Sequence, residues 1–182
     1  MSFDEYDDFD PYYDDEADYD DWEDDDPDYD PEVDAFWERY LASLPPGSPV
    51  PDEHSAWSFG DSSEMADELG GLVEQGVKTA TCGLLAEYEA EGEPVPEVGD
   101  LSVITAGDGT PLCIIETTEV TVRPFNTVDE QFAYDEGEGD CSYQYWYEGH
   151  RRFFTRACER LGCTFDESMP VVCERFRVVY RE

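Results

Sequence analysis

Positively charged residues are scarce in this chain of 182 residues. It holds 10 Lys and Arg against 48 Asp and Glu, which gives a formal net charge of −38. Arginine supplies every basic residue except one, Lys78. A surface of this sign repels a phosphate backbone at long range. The balance disfavours a general nucleic-acid-binding protein, although it leaves room for a local arginine site.

Closely spaced metal ligands and long apolar segments are also missing. The six cysteines form no Cys-x-x-Cys pair, and His54 and His150 lie far apart, whereas structural zinc sites show closer ligand spacing. We therefore expect reduced, partly buried thiols, no metal and no cofactor. No apolar stretch is long enough to span a bilayer, and the acidic start of the chain is unlike a signal peptide. The sequence predicts a cytoplasmic protein without a membrane segment.

The first 34 residues form an acidic segment rich in aromatic residues. They hold 19 Asp and Glu and no basic residue, and aliphatic side chains are almost absent. Such a segment repels itself and cannot bury enough apolar surface to offset the loss of chain entropy. We predict a disordered acidic tail over residues 1–34, which suits a basic partner.

The rest of the chain alternates between helical and strand periodicity. Residues 33–44 carry apolar side chains at helical spacing, and a Pro-rich connection follows within residues 35–54. Asp61 and Glu64 have the spacing of a capping box for the next helix, which Gly76 ends. Period-two patterns then predict strands at 101–104, 112–122 and 171–180.

Two further helices are predicted in the second half of the chain. Thr127 and Glu130 form a capping box before a short helix, and Asp140 is placed to cap the longest helix, which Gly162 ends. Short strands interrupted by helices are typical of an α+β domain, here a small curled sheet or barrel with helices outside. We predict three segments: the tail over 1–34, a helix and connection over 35–54, and the α+β domain over 55–182.

The single lysine lies in a Lys-x-x-Thr step directly after a predicted helix. An ammonium group is compact, and burial can lower its pKa until it acts as a base. Residues three apart point the same way in a tight bend but to opposite faces in a strand. We expect a bend from Gly76 to Thr81 that brings the Lys78 amine and the Thr81 hydroxyl into one cavity. The alternative is a surface lysine and a threonine that bonds to the backbone.

Five segments, in this order, resemble the ASCH-domain family. They are Trp57-Ser58-Phe59-Gly60-Asp61, Gly76-Val77-Lys78-Thr79-Ala80-Thr81, Ile114-Ile115-Glu116-Thr117-Thr118-Glu119, Glu136-Gly137-Glu138-Gly139-Asp140 and Trp146-x-x-x-His150. The resemblance covers residues 55–182. It implies a PUA-like β-barrel with a cleft beside the lysine motif, and RNA or nucleosides as ligands.

A bacterial branch of that family hydrolyses the acetyl amide of N4-acetylcytidine with a Thr, a Lys and a Glu. The resemblance places these roles on Thr81 as nucleophile, Lys78 as base or oxyanion stabiliser, and Glu136 as the group that orients Lys78 or activates water. Nearby carboxylates raise the pKa of a lysine, so a permanent Lys78 cation with Glu136 as the base is an alternative. The chain departs from the branch at Gly83, where the branch has arginine.

Ligand contacts are expected from the same segments and from the longest helix. The candidates for ligand binding are Trp57, Phe59, Asp61, Asp140, Trp146 and His150, although Asp61 also suits a helix cap and the last two also suit a core. The candidates for RNA phosphate binding are Arg151, Arg152, Arg156 and Arg160. Surface pairing of these arginines with local acids is the alternative.

Three classes of function remain. The first is an amidohydrolase acting on an acylated nucleoside such as N4-acetylcytidine. The second is an RNA-binding module or ribonuclease, and the third is an interaction protein that acts through its acidic tail. The acidity of the domain favours the first class, because a neutral substrate is not repelled as a polyanion is.

Overall fold

The computed structural model describes residues 30–51 and 54–182. The helices are α1 (Pro31–Ser43), α2 (Ser63–Glu74), α3 (Leu85–Glu91), α4 (Glu130–Asp135) and α5 (Tyr143–Leu161), with a 3-10 turn at Phe125–Thr127. The strands are β1 (Ser55–Trp57), β2 (Ala80–Leu84), β3 (Leu101–Thr105), β4 (Pro111–Pro124) and β5 (Pro170–Arg181). Among these described segments, no helix combines the length and the apolar character needed to cross a bilayer.

The strands form one curled sheet in the order β1-β3-β4-β5-β2. Strand β1 runs parallel to β3, whereas the other neighbours are antiparallel. The long pair β4 and β5 contains two shifts of register, at Ile114/Ile115 and Thr117/Glu119. Such bulges bend strands and increase their twist, so the sheet curls into a half-barrel. The predicted α+β class, a small curled barrel with flanking helices, is confirmed.

The long periodic segments lie where their patterns predicted them. Strands β3, β4 and β5 cover the three predicted strands, and α1 covers the predicted first helix except its last residue, Leu44, which is the C-cap. Helix α1 begins at Pro31, where Asp30 accepts from the backbone N–H groups of Glu32 and Val33, so residues 31–34 of the predicted tail are helical. The remainder of the predicted tail, 1–29, lies outside the described residues.

The predicted helix caps are wrong by one or two positions. The observed caps are Ser62, Asp129 and Ser142 in place of Asp61, Thr127 and Asp140. Each segment offers several side-chain oxygens in succession. Only the residue with an extended backbone whose side chain reaches the N–H group of the first turn can cap, and this depends on how the chain enters the helix.

The predicted bend after α2 is shorter than expected. The backbone N–H groups of Val77 and Lys78 both donate to the carbonyl oxygen of Leu72, which closes the turn. The carbonyl oxygen of Thr79 already accepts from the N–H of Phe176 at 3.0 Å, and β2 then pairs with β5. The chain is therefore extended from Thr79 onward, and a strand stands where we expected a bend.

The buried apolar residues form clusters on the two faces of the sheet. Helices α4 and α5 bury Phe132, Trp146 and Phe154 against Ala80, Cys82 and Leu84 of β2. Helix α1 covers Val103 and Ile114, whereas Val73 of α2 packs with Ile104 and Ile115. Because side chains alternate along a strand, the helices hold β2 with one face inward and leave Thr81 and Gly83 on the other.

Candidate functional site

Strand β2 separates two polar sites. On the side of Cys82 lies a buried group that we call the ion cluster: Lys78, Glu136, Glu138, Trp146 and His150. On the side of Thr81 lies a group beside a cavity that we call the cavity cluster: Thr81, Tyr88, Thr117 and Glu174. The two sites differ in how fully their charges are paired.

Lys78 is paired with two carboxylates inside the protein. Its Nζ donates to Glu136 Oε2 at 2.6 Å and to Glu138 Oε1 at 2.8 Å, and it lies 5.4 Å from the centroid of the Phe59 ring. Burial by itself would lower the pKa of Lys78, but the attraction and hydrogen bonds of both carboxylates outweigh it and raise the pKa. Lys78 is thus a permanent cation. This favours the alternative role predicted from the sequence, in which Lys78 stays charged and does not act as a neutral base.

Glu136 is fully buried and surrounded by donors. Its Oε2 accepts from Lys78, while Oε1 accepts from Trp146 Nε1 at 2.8 Å and faces His150 Nε2 at 3.4 Å. Burial alone would raise the pKa of Glu136, but Lys78 and His150 lower it. Glu136 therefore stays ionised with its oxygens engaged, which suits an anchor for Lys78 better than a base.

His150 completes the charge balance of the ion cluster. Its Nδ1 lies 2.9 Å from the carbonyl oxygen of Trp146, and its Nε2 faces the Glu136 carboxylate. Both ring nitrogens thus face acceptors, and a doubly protonated ring can donate to both. Burial opposes that charge, but Glu136 outweighs burial and the pKa of His150 is raised. A protonated His150 together with Lys78 would balance the charges of Glu136 and Glu138.

A glycine loop between α4 and α5 carries both carboxylates to Lys78. Gly137 and Gly139 have φ of +69° and +56°, in the left-handed region that glycine adopts without strain. A Cβ on Gly137 would lie 2.6 Å from the carbonyl oxygen of Val77. Only glycine permits this approach of the loop to the residue before Lys78, and the approach places Glu136 and Glu138 beside the ammonium group.

A cavity of about 1090 Å³ opens on the other face of β2. Its aromatic lining residues are Trp57, Phe59, Tyr88 and Phe153, and its carboxylates are Glu87, Glu91, Glu93, Glu97, Asp100 and Glu174. None of the described residues that line it is lysine, arginine or histidine. The lining therefore suits a neutral or positively charged ligand with flat apolar parts.

Thr81 and Glu174 are cross-strand neighbours in the wall of this cavity. They lie directly opposite each other in the antiparallel pair of β2 and β5, and both line the cavity. Residues in such positions share one face, with Cβ atoms about 5 Å apart. A hydroxyl and a carboxylate therefore stand side by side where a ligand can reach them.

Glu174 is buried but incompletely paired. It is 5% exposed, and its Oε1 accepts from Thr117 Oγ1 at 2.6 Å. No other described side chain donates to this carboxylate or forms an ion pair with it. Burial raises the pKa of Glu174, and the Thr117 hydroxyl only partly opposes this. Glu174 is thus a proton acceptor of increased basicity.

Tyr88 covers Gly83 next to this pair. A Cβ on Gly83 would lie 3.3 Å from the Tyr88 ring and 3.4 Å from its hydroxyl oxygen. Burial, helped by the charge of Glu174, raises the pKa of Tyr88 to about 12, so the hydroxyl remains a donor at neutral pH. The Tyr88 ring occupies the space that a longer side chain at position 83 would need. Where the related branch has an arginine, this chain therefore presents the neutral phenol of Tyr88 to the cavity.

The predicted catalytic residues are divided between the two sites. Lys78 and Glu136 belong to the ion cluster, and neither is among the described residues that line the cavity, whereas Thr81 is. We expected the Lys78 amine and the Thr81 hydroxyl to share one cavity. Because the chain is extended from Thr79 onward, residues 78 and 81 lie on opposite sides of the strand.

The predicted ligand-binding residues are divided as well. Trp57 and Phe59 line the cavity, whereas Trp146 and His150 lie in the ion cluster. The Asp61 carboxylate pairs with Arg156 Nη2 at 2.8 Å, and that of Asp140 accepts from the backbone N–H of Ser142 at 3.0 Å. The last two are thus engaged in local contacts outside the cavity.

The arginines of α5 are largely paired with acids. Their partners are Glu167 for Arg151 at 3.9 Å, Asp61 for Arg156 at 2.8 Å and Glu87 for Arg160 at 3.2 Å. Within the described residues Arg152 forms no such pair. A shallow depression of about 360 Å³ lies between Arg151, Arg152, Thr155 and Arg156. The strip predicted for RNA is therefore partly neutralised.

Cys82 and two members of the ion cluster together have the donor types of a zinc site. Cys82 Sγ, a Glu136 oxygen and a His150 nitrogen all lie within 4.8 Å of one another. The trio comes from three separate elements, so sequence spacing did not reveal it. However, the Lys78 ammonium group lies 2.6 Å from Glu136, and burial with the charge of Glu136 raises the pKa of the Cys82 thiol. A fixed cation and a protonated thiol do not fit a resident divalent ion.

Sequence reasoning missed Glu174 and Tyr88. Glu174 shares one side of β5 with Val172, Phe176 and Val178, so it was the one acid on an otherwise apolar side of the strand. That exception was the signal that could have identified it. Tyr88 gave no such signal, because α3 was not predicted.

The chain resembles several solved structures, among them two, from Lactobacillus crispatus and Enterococcus faecalis, that are 41% identical. The crystal structure of an ASCH domain from Lactobacillus crispatus is 41% identical, with a TM-score of 0.78 over 84% of this chain and 96% of that chain. A crystal structure of a protein from Enterococcus faecalis is also 41% identical, with a TM-score of 0.71 over 81% of this chain and 88% of that chain. No curated protein shows a significant match. The ASCH domain profile matches residues 55–180, and the chain therefore belongs to the ASCH domain family, with its PUA-like fold.

Proposed function

We propose that this ASCH domain is an amidohydrolase that removes an acyl group from the amine of a small molecule such as N4-acetylcytidine. One observation carries the proposal: the Thr81 hydroxyl lies across from the incompletely paired Glu174 carboxylate in the wall of a cavity. The volume of about 1090 Å³ slightly exceeds the usual range of about 300–1,000 Å³ for small-molecule sites, so a nucleoside fits.

The aromatic lining supports a flat substrate. The rings of Trp57 and Phe59 meet edge to face, with centroids 4.5 Å apart, and both border the cavity. Accessible aromatic faces stack on nucleobases and on planar amides, and of these two rings Trp57 is the more accessible, since Phe59 is only 4% exposed. The Lys78 ammonium group lies over the Phe59 ring, 5.4 Å from its centroid. In this proposal the ion cluster positions the cavity wall.

The chemical step uses Thr81 and Glu174. Thr81 Oγ1 attacks the acyl carbon while the Glu174 carboxylate accepts the hydroxyl proton. The intermediate collapses, the amide C–N bond breaks, and the amine leaves with the proton from Glu174, so the acyl group remains on Thr81 as an ester. Water then attacks the ester while Glu174 accepts its proton. The carboxylic acid leaves and Thr81 recovers its proton from Glu174.

Tyr88 is the donor for the negative charge that develops on the acyl oxygen. Its pKa of about 12 keeps the hydroxyl protonated throughout, and its ring stands over Gly83, two residues from Thr81. A preorganised donor stabilises the oxyanion more than the ground-state carbonyl. Lys78 and Glu136 take no part in proton transfer in this scheme.

The proposal is tested by incubating the purified chain with N4-acetylcytidine and following the release of acetate by chromatography. Thr81→Val keeps the shape of the side chain but removes the nucleophile, so we expect turnover to fall by about 10³-fold or more. Thr155→Val is the control, because Thr155 is exposed on α5 and bonds only to the Arg151 carbonyl oxygen. Equal turnover by Thr81→Val and the wild type would refute the nucleophile.

RNA binding is the second candidate, and the depression between Arg151, Arg152 and Arg156 favours it. Phosphate binding releases counterions, so the affinity for a short RNA should fall steeply between about 50 and 200 mM salt. Turnover of an uncharged acylated nucleoside should change only slightly over the same range. Salt-independent retention of RNA, or no retention at all, would remove this candidate.

A further inference from the structure

All charged side chains that line the cavity in the described residues are acidic. Of the carboxylates that line it, Glu87 is paired, with Arg160 at 3.2 Å, and Glu91, Glu93 and Glu97 are exposed at the rim. No lysine, arginine or histidine lines it in the described part of the chain. Such a wall raises the local concentration of cations and repels phosphates.

Glu174 lies deeper in the same cavity. Every fully buried side-chain nitrogen or oxygen of the described residues has a hydrogen-bond partner, so the second oxygen of Glu174, which has none, must reach the cavity. A carboxylate that is 5% exposed and lacks a counter-ion is costly. On the other face of β2, the carboxylate of Glu136 in a comparable position has Lys78 as its counter-ion. A ligand cation in the cavity would supply the counter-ion that Glu174 lacks among the described residues.

Aromatic side chains complete the surroundings of such a ligand. Trp57, Phe59, Tyr88 and Phe153 all line the cavity together with Glu174. Aromatic faces attract ammonium groups, and the attraction increases when water is excluded. Carboxylates with aromatic rings are therefore a combination that distinguishes an organic cation from a neutral ligand of the same shape.

We propose that the cavity takes N-acylated aliphatic diamines or polyamines, whose free ammonium group lies among its carboxylates and aromatic rings. This inference rests on the proposed function, because it specifies the substrate class of the same cavity. The amide bond breaks as described for Thr81, and the nitrogen leaves with the proton from Glu174. One further proton from solvent converts the released aliphatic amine to an ammonium ion, which the ionised Glu174 then pairs with.

Binding is tested on the full chain with 1,4-diaminobutane and its neutral counterpart 1,4-butanediol by titration calorimetry at physiological salt. We expect one diamine per chain, with a Kd at least about tenfold lower than that of the diol. Glu174→Gln should remove this preference. Glu68→Gln should keep it, because Glu68 is exposed on α2 outside the cavity. Equal Kd values for diamine and diol, or equal losses in both variants, would overturn the inference.

A second pair of measurements separates this inference from the proposed function. Thr81→Val should bind the diamine as the wild type does. Acetate release by the wild type should be at least about tenfold faster, in kcat/KM, from N-acetyl-1,4-diaminobutane than from N4-acetylcytidine. Diamine binding without any acetate release refutes the reaction but not the cation site. Release from N4-acetylcytidine without a diamine preference refutes the cation site but not the reaction.

Discussion

Two buried carboxylates on opposite faces of β2 differ in what surrounds them. Glu136 accepts from Lys78 and Trp146 and faces His150, and its pKa is lowered. Glu174 accepts from one hydroxyl, and burial raises its pKa. A carboxylate with a full set of donors stabilises the fold. A buried carboxylate with too few donors, placed beside a cavity, lowers the stability of the fold. A ligand that binds there and pairs with the carboxylate can restore the lost free energy.

The largest effect is expected from breaking the ion cluster at Lys78. Lys78→Met preserves much of the side-chain volume but leaves Glu136 and Glu138 without their cation, so we expect a loss of about 3–5 kcal/mol in the free energy of unfolding. Urea unfolding measures it. The matched control is Arg39→Met, which breaks the exposed pair with Glu182 at 2.5 Å and should cost less than about 1 kcal/mol. Similar losses in both variants would contradict the structural role of the cluster.

At Glu174 we expect a substitution to increase the free energy of unfolding, the opposite of the effect at Lys78. Because its folded pKa is raised above the ordinary value of 4.5, the folded state favours the protonated form, and this contribution to stability is lost as the pH rises through the folded pKa. Glu174→Gln stays neutral and still accepts from Thr117, so it should be more stable than the wild type by about 1 kcal/mol at pH 8.

Thermal unfolding at several pH values measures the Glu174 effect. The advantage of Glu174→Gln should shrink as the pH falls through the folded pKa of Glu174 and should be absent at low pH, where the wild-type residue is protonated. Glu68→Gln serves again as control and should lie within about 0.5 kcal/mol of the wild type at every pH. A variant that is less stable at pH 8 would show that the carboxylate is better paired than we infer.

The smallest effect is expected at Gly83. An alanine there places its Cβ 3.3 Å from the Tyr88 ring, so the ring must shift by a few tenths of an ångström. We expect stability to change by less than about 1 kcal/mol, and kcat/KM for the acylated substrate to fall about twofold to fivefold as the donor moves. Gly149→Ala is the control, because nothing lies within 4 Å of its Cβ. An unchanged kcat/KM in Gly83→Ala would remove Tyr88 from the mechanism.

The parts of the fold that were predicted are those with strong local patterns. Helix α5 and strands β4 and β5 are long and periodic, and the segments that resemble the ASCH family come in a fixed order. Strand β2 was missed because it has only five residues and one of them is Gly83, so its period-two alternation is too short to stand out. That omission also misplaced the Thr81 side chain relative to Lys78.

The candidate site was only half predictable. Thr81, Trp57 and Phe59 were identified from the family motifs and do line the cavity. Glu174 was not, because its neighbours Thr81 and Thr117 are distant in the sequence and become neighbours through strand pairing. In a chain with 48 Asp and Glu, local pattern cannot tell a buried carboxylate from a solvated one.

The sequence alone established the α+β class, the family and the singular position of Lys78, because periodicity, motif order and composition are properties of neighbouring residues. Only the tertiary structure decided that Glu138, 60 residues away, joins Glu136 beside Lys78, and that Glu174 pairs with no cation among the described residues. Coulomb energy depends on distance in space and on burial. Both are determined when the loop after α4 and strand β5 pack against β2.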